Sequence, residues 1–336
     1  MTGRVLEAAG GAYRVRLEGR VVECSLRGRI KQGEGSIAVG DEVRVETAGP
    51  DAWCIAEVLP RRSRLARRSF AKRREQVLAA NVDAVAAVIA VARPEPDLFL
   101  LDRLLVVAEV NGLASFIVCN KIDLTETAET MTTAKAAEDD AHDGGAHDGG
   151  ARGEGDPSGS ELPPSLRPYE EAGYAILPTS VSTGRGMAAL ADRLRGRTTV
   201  LAGASGVGKS SLVNALAPGT GLRTGGVGDR SGRGRHTTTA GRLIPLGDDT
   251  YLADTPGVQN FEPAALEPAE LAAAFPEFRP HLGECRFADC RHREEPGCAI
   301  REAVEEGRIA PRRHESFLAL LEAAERAARP WERRER

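Results

Sequence analysis

Three patterns of apolar and polar positions follow one another along the 336-residue chain. From the start to about residue 60, short stretches read as strands: AYRVRL and RVVECSL alternate apolar and polar residues, DEVRVET follows, and WCIAEVL closes the set. Alternation with period two marks half-buried strands, and Glu18-Gly19 and Val39-Gly40 supply the turns between them. Four or five short strands with no helical stretch predict a small barrel, an OB-fold in preference to an SH3-like barrel. From Asn81 the pattern changes. VDAVAAVIAVA (82–92) is almost continuously apolar, as a strand buried on both faces must be. LDRLLVVAEVNG then has helical spacing, and SFIVCNKIDL returns to a strand. Strand–helix–strand order predicts a parallel α/β sheet, with ligands bound beyond the carboxyl ends of its strands. YAILPTSVSTGRG, MAALADRLRG, TTVLAG, SLVNALA, RLIPL and TYLAD continue it. The third region, from Phe261, is mainly helical and ends with an amphipathic stretch, about residues 314–328, and a basic tail. These patterns divide the chain into a barrel (1–62), a basic linker (63–80), an α/β domain (81–260) and a C-terminal domain (261–336).

Composition modifies this picture in a few places. The formal net charge of −4 is skewed by residues 125–165, which hold ten acidic and two basic residues, many glycines and a repeated AHDGG. Such a segment cannot bury enough apolar surface to offset its ordering entropy and reads as a disordered insertion. The rest of the chain is mildly basic, and RRSRLARRSFAKRR (61–74) carries eight Lys or Arg in fourteen residues. A solvated linker and an extension of a phosphate-binding surface both fit that run. No apolar run is long enough to span a bilayer, and the N-terminus lacks the apolar core of a signal sequence. A cytoplasmic monomer is expected. Six cysteines in that compartment argue against a disulfide framework.

The chemistry gathers in four motifs. Gly203-Ala204-Ser205-Gly206-Val207-Gly208-Lys209-Ser210-Ser211 fits G-x-x-x-x-G-K-[ST] and lies between a strand and a helix. Its glycines free backbone N–H groups to surround phosphate oxygens; Lys209 reaches the β- and γ-phosphates and the Ser210 hydroxyl ligates Mg²⁺. Asn120-Lys121-Ile122-Asp123, at the end of a buried strand, is a guanine reader. The Asp123 carboxylate accepts from the ring N–H and the exocyclic amine, a donor pair that adenine lacks. Thr179-Ser180, at another strand end, is placed to support the base through a backbone N–H. Asp254-x-x-Gly257 supplies a carboxylate that holds Mg²⁺ through water and an N–H for the γ-phosphate. Thr237 and Thr238, in a glycine- and arginine-rich loop, are the candidates for the nucleotide-dependent Mg²⁺ ligand, with Thr238 favoured. Val258 occupies the place where Ras-like enzymes carry a water-positioning glutamine. Slow intrinsic hydrolysis is the expectation, and His236, beside the threonines, is the candidate to orient the water. Finally, Cys285-x4-Cys290-x-His292-x5-Cys298 offers three thiolates and an imidazole, the ligand set of a closed structural zinc site, with His314 as the substitute imidazole.

In ordinary GTPases the phosphate loop precedes DxxG and the guanine reader; here the guanine reader comes first. The barrel, NKID, GASGVGKSS, HTTT, DTPG and the Cys-Cys-His-Cys cluster together resemble the ribosome small-subunit-dependent GTPase A family, a group of circularly permuted bacterial GTPases. The resemblance covers nearly the full chain; the acidic insertion after Leu124 departs from it without touching a motif. It implies a late assembly factor that binds the immature small ribosomal subunit, contacts rRNA through the barrel and zinc domain, and hydrolyses GTP before leaving. Other readings of the motifs are a GTP-regulated RNA-binding protein acting in translation, with nucleotide mainly structural, and a GTPase acting on membranes.

Overall fold

The computed structural model describes residues 1–9, 11–27, 37–49, 52–69, 74–125, 162–219, 241–247, 249–254 and 266–328. The alternating N-terminal stretches form β1 (Thr2–Ala9), β2 (Ala12–Leu17), β3 (Arg20–Leu26), β4 (Glu42–Thr47) and β5 (Trp53–Val58). Their order is β1-β2-β3-β5-β4, and β4 pairs back onto β1 to close a barrel. The β3–β5 pair is parallel while its neighbours are antiparallel. That closure gives the OB-like barrel, not the SH3-like alternative. Every second residue points inward, so Val5, Val15, Leu17, Cys24, Val43, Val45 and Ile55 make the barrel core.

The arginine-rich run expected as a linker is instead a hairpin of β6 (Arg64–Ser69) and β7 (Arg74–Ala80), in a sheet of its own. Its charges hide a short apolar stem: Leu65, Ala66, Ala79 and Ala80 are buried at the hairpin base. A chain of polar contacts staples the barrel to the α/β domain. Arg61 clasps the fully buried Asp41 with both ends of its guanidinium, at 2.6 and 2.8 Å. Asn81 donates to the Gly40 carbonyl (2.9 Å), Arg62 pairs with Asp83, and Asp83 accepts the Thr198 N–H at 2.7 Å.

The central domain comprises β8 (Ala84–Ala90), α1 (Leu98–Val110), β9 (Ala114–Asn120), α2 (Arg167–Glu171), β10 (Ala175–Thr179), α3 (Met187–Leu194), β11 (Thr198–Ala202), α4 (Lys209–Leu216), β12 (Arg242–Gly247) and β13 (Thr250–Asp254). Strands β10, β9, β8, β11 and β13 lie side by side and parallel, and β12 closes the row antiparallel to β13. Every residue of β8 is buried, and its two parities serve two cores. Val85, Ala87 and Ile89 pack with Leu101, Leu104 and Leu105 of α1, whereas Ala84, Ala86 and Val88 pack with Leu190 and Leu194 of α3 and Leu212 of α4. This is a doubly wound sheet. Strand β12 also meets β1 at Glu7↔Arg242, so barrel and sheet are hydrogen-bonded neighbours.

The C-terminal region packs α5 (Pro268–Ala273), a 3₁₀ turn (Pro276–His281), α6 (Ala299–Glu305) and α7 (Pro311–Ala328) around Phe275, Phe278 and Phe317. Val106 of α1 enters the same core. Beside it lies a buried charge cluster. Asp102 of α1, fully buried, accepts from Arg312 (2.9 Å), Arg313 and Ser316 of α7. Arg313 is 1% exposed and also grips Glu277 through two N–H groups, at 2.5 and 3.1 Å. Removing one member of such a cluster strands the others without water, at a cost of about 3–5 kcal/mol. Asp102→Ala is therefore expected to lower unfolding stability by that amount, read from the shift in denaturant midpoint.

Candidate functional site

The carboxyl ends of β9, β10, β11 and β13 converge on one edge of the sheet, and every described motif residue of the nucleotide site lies there. The chain leaves β11 at Ala202 and turns through Gly203–Gly208 into α4. Two of these glycines are dictated by close approach. A Cβ on Gly203 would stand 2.2 Å from the Val88 carbonyl oxygen, and one on Gly208, at φ +100°, 2.3 Å from the Asn120 amide nitrogen. Lys209 turns back over its own loop, donating to the carbonyls of Gly203 (2.9 Å) and Ala204 (2.7 Å). Burial lowers the pKa of its ammonium, and Asp254 opposes that shift. Lys209, Ser210 and Asp254 line one small cleft, floored by Leu201, Val213 and Leu252. That arrangement can hold a cation beside a phosphate.

The guanine-reader motif is tied into this loop. Asn120, 2% exposed, donates to the Val207 carbonyl (2.8 Å) and accepts from the Thr179 hydroxyl (3.2 Å). Lys121, at φ +62°, donates to the Gly206 carbonyl (2.7 Å) and to that of Arg93. Buried Ile122 donates its N–H to the Thr179 carbonyl, leaving Asp123 at the surface of the site. The Ser180 hydroxyl donates to Asp123 at 2.7 Å, and Ser182 lies 2.9 Å from Ser180. The Ser180 hydroxyl, foremost, pulls the Asp123 carboxyl below its ordinary range and keeps it ionised. The backbone N–H of Ser180 donates to the Arg185 carbonyl, while its hydroxyl is the group that meets Asp123. His236, Thr237, Thr238 and Gly257 lie outside the described residues. So does the insertion between Glu126 and Glu161.

A second cluster sits in the C-terminal region. The Sγ atoms of Cys285, Cys290 and Cys298 and one ring nitrogen of His292 all lie within 4.8 Å of one another. The nitrogen is Nδ1, 3.5 Å from the Cys285 sulfur and 3.4 Å from that of Cys298. With Zn–S near 2.3 Å and Zn–N near 2.0 Å, a tetrahedral edge between S and N is about 3.5 Å, so the donor set fits zinc. Burial pushes the Cys290 thiol up to about 12 and the Cys298 thiol up as well, while it lowers the His292 pKa. Without a cation these groups are neutral, and a bound cation would bring the thiolates into being. His314 is not part of the set; its Nε2–H donates to the His292 carbonyl at 2.7 Å.

Comparison with known proteins agrees with this geometry. A model of the RsgA GTPase domain matches residues 58–145 and 158–264, and one of the RsgA N-terminal domain matches residues 2–52. The chain belongs to the RsgA GTPase family. Curated relatives named small ribosomal subunit biogenesis GTPase RsgA include that of Gemmatimonas aurantiaca, 42% identical with 95% of this chain and 96% of the relative covered. The Moorella thermoacetica protein of the same name is 40% identical, with 96% of each chain covered. The crystal structure of YjeQ from Thermotoga maritima superposes with a TM-score of 0.68 at 31% identity, covering 96% of this chain and 98% of that one. YloQ, described as a circularly permuted GTPase, gives 0.65 at 28% identity, with 97% and 95% covered. The RsgA order of motifs explains how Asn120 comes to bond Val207, 87 residues later in the chain.

Sequence reasoning missed the charges that hold the RsgA C-terminal region on α1, because Asp102, Arg312 and Arg313 lie in helices whose polar positions read as solvent-facing. It also missed Ser182; the only signal was a second hydroxyl two residues after Ser180.

For the cysteine cluster, elemental analysis is expected to find about one zinc per chain, as for one closed site. Cys290→Ala should lose the metal and destabilise residues 266–328 to chelator and heat while leaving guanine-nucleotide binding close to wild type. A fully folded, metal-free wild-type protein would refute the structural role.

Proposed function

We propose that the chain is a GTP-hydrolysing assembly factor of the small ribosomal subunit, binding its rRNA and released when GTP is hydrolysed. The observation that carries the enzymatic part is the tie between Asn120, Lys121 and the phosphate loop, with Asp123 held ionised by Ser180. A guanine seated on Asp123 then has its phosphates delivered to the N–H groups of Gly203–Ser211 and the start of α4. Membership of a GTPase family supports hydrolysis, and the names of the relatives supply the small subunit as partner.

In this reading each residue has one task. Asp123 accepts from the two guanine donors, Lys121 walls the base, and Ser180 orients the carboxylate. Lys209 leaves the Gly203 and Ala204 carbonyls for the β- and γ-phosphates. Ser210 and Asp254, with Thr237 or Thr238, would hold Mg²⁺, whose charge offsets that of the phosphate oxygens. The Gly257 N–H contacts the γ-phosphate and His236 orients the attacking water. Zinc at Cys285, Cys290, His292 and Cys298 is structural. The barrel, the basic hairpin and the C-terminal domain form the rRNA-contacting modules, with the hairpin adding cationic groups that seek phosphate. The protein works as a cytoplasmic monomer.

Base choice provides the first test. Asp123→Asn is expected to weaken GTP by about a hundredfold, as two charge-assisted hydrogen bonds are lost. It should also favour xanthosine triphosphate, whose edge matches an amide. Competition binding with the two nucleotides reads this, and an unchanged preference would remove Asn120–Asp123 as the base reader.

Turnover provides the second. With Val258 where a glutamine would stand, intrinsic hydrolysis is expected to be slow and to rise when small subunits are added. His236→Ala should abolish most of that rise while retaining nucleotide binding. Fast hydrolysis by the protein alone, or no response to subunits, would overturn the gated mechanism. Co-migration with small subunits in a sucrose gradient, dependent on the nucleotide, separates assembly from a role on the translating ribosome.

A further inference from the structure

Resting on the zinc reading above, we infer that Glu295 is the positioning residue of the metal centre: its carboxylate gathers the backbone around His292 and so presents Nδ1 to the three sulfurs. Both oxygens are engaged. Oε1 accepts the Arg291 N–H at 2.9 Å, and Oε2 accepts those of Arg293 (2.8 Å) and Glu294 (3.1 Å). These N–H groups flank His292 on its two sides, so one carboxylate closes the loop that carries the sole nitrogen donor of the cluster.

The loop needs such a clamp. His292 has φ +60°, a left-handed conformation that is unfavourable for a residue with a Cβ. A conformation of that kind persists only where its surroundings over-determine it. Glu295 supplies the restraint from inside the loop, and α7 supplies it from outside. His314 donates to the His292 carbonyl at 2.7 Å, while Glu325 takes the side chains of Arg291 (3.0 Å) and Arg293 (2.7 Å). The imidazole is thereby fixed through its backbone, with Nδ1 turned to the sulfurs. Glu294, one residue earlier, is exposed and has no such part.

The test uses the full chain loaded with Co²⁺, whose visible spectrum reports ligand identity. Wild type should bind one Co²⁺ with a tetrahedral three-sulfur, one-nitrogen spectrum. Glu295→Ala should bind it about ten- to hundredfold more weakly, the range for loss of an outer-shell partner. Its d–d bands should move towards those of His292→Ala while the thiolate charge-transfer intensity per bound cobalt is kept. Glu295→Gln, which retains one accepting oxygen, should fall between. A folded Glu295→Ala protein with wild-type affinity and spectrum would overturn the inference. So would weaker binding with an unshifted spectrum, which would mark Glu295 as a fold stabiliser alone. If Glu295→Ala does not fold, Glu295→Gln decides: wild-type affinity overturns the inference, and weakened binding with partly shifted bands supports it. Wild type that binds no cobalt would instead remove the metal reading beneath it.

Discussion

The buried amide of Asn120 is the joint on which the nucleotide site depends. It touches the end of β10 through Thr179 and the phosphate loop through Val207, and it lies so close to Gly208 that no side chain fits there. Without water to substitute, each of those hydrogen bonds has to be made within the protein. The Asn120–Asp123 segment and the Gly203–Gly208 loop are therefore held in one geometry although the chain visits them in permuted order. Covalent order matters little once polar groups of this kind are buried together.

A different kind of bond holds the C-terminal region. Its apolar core includes Val106 of α1, but the register of the contact is set by Asp102 with Arg312, Arg313 and Ser316. Buried ion pairs are poor glue and good locators, since any shift leaves charges without partners. Helix α7 has two duties as a result. Arg312, Arg313 and Ser316 face α1, while His314 and Glu325 hold the loop that carries His292. The cysteine–histidine cluster and the α/β domain thus share one helix.

Much of this was legible beforehand, for reasons that differ by element. The phosphate loop and NKID are local in sequence and backbone-driven, so spacing alone exposes them. β8 announced itself because a strand covered on both faces has no polar positions to spare. The barrel was legible in its run of short strands with no helical stretch, but which strand returns to β1 to close it was not, since that pairing joins distant strands. The hairpin β6–β7 was disguised by its arginines: among the described side chains, Leu65, Ala66, Ala79 and Ala80 at its base are buried, too few to outweigh the charge of the run. Asp102 was invisible for the converse reason, as its burial is created by a helix more than two hundred residues away.

The contact between β12 and β1 also decides where the sheet can grow. An open parallel sheet has two edges, each a row of unpaired backbone groups that invites another strand. On one side the barrel occupies that row through Glu7 and Arg242, reinforced by their ion pair at 2.8 Å. On the other side stands β10, five residues long with Pro178 inside it, which removes a donor where an incoming strand would need one. One edge is capped by a folded neighbour and the other is blunted by a missing proton, so self-association through this sheet is discouraged at both ends.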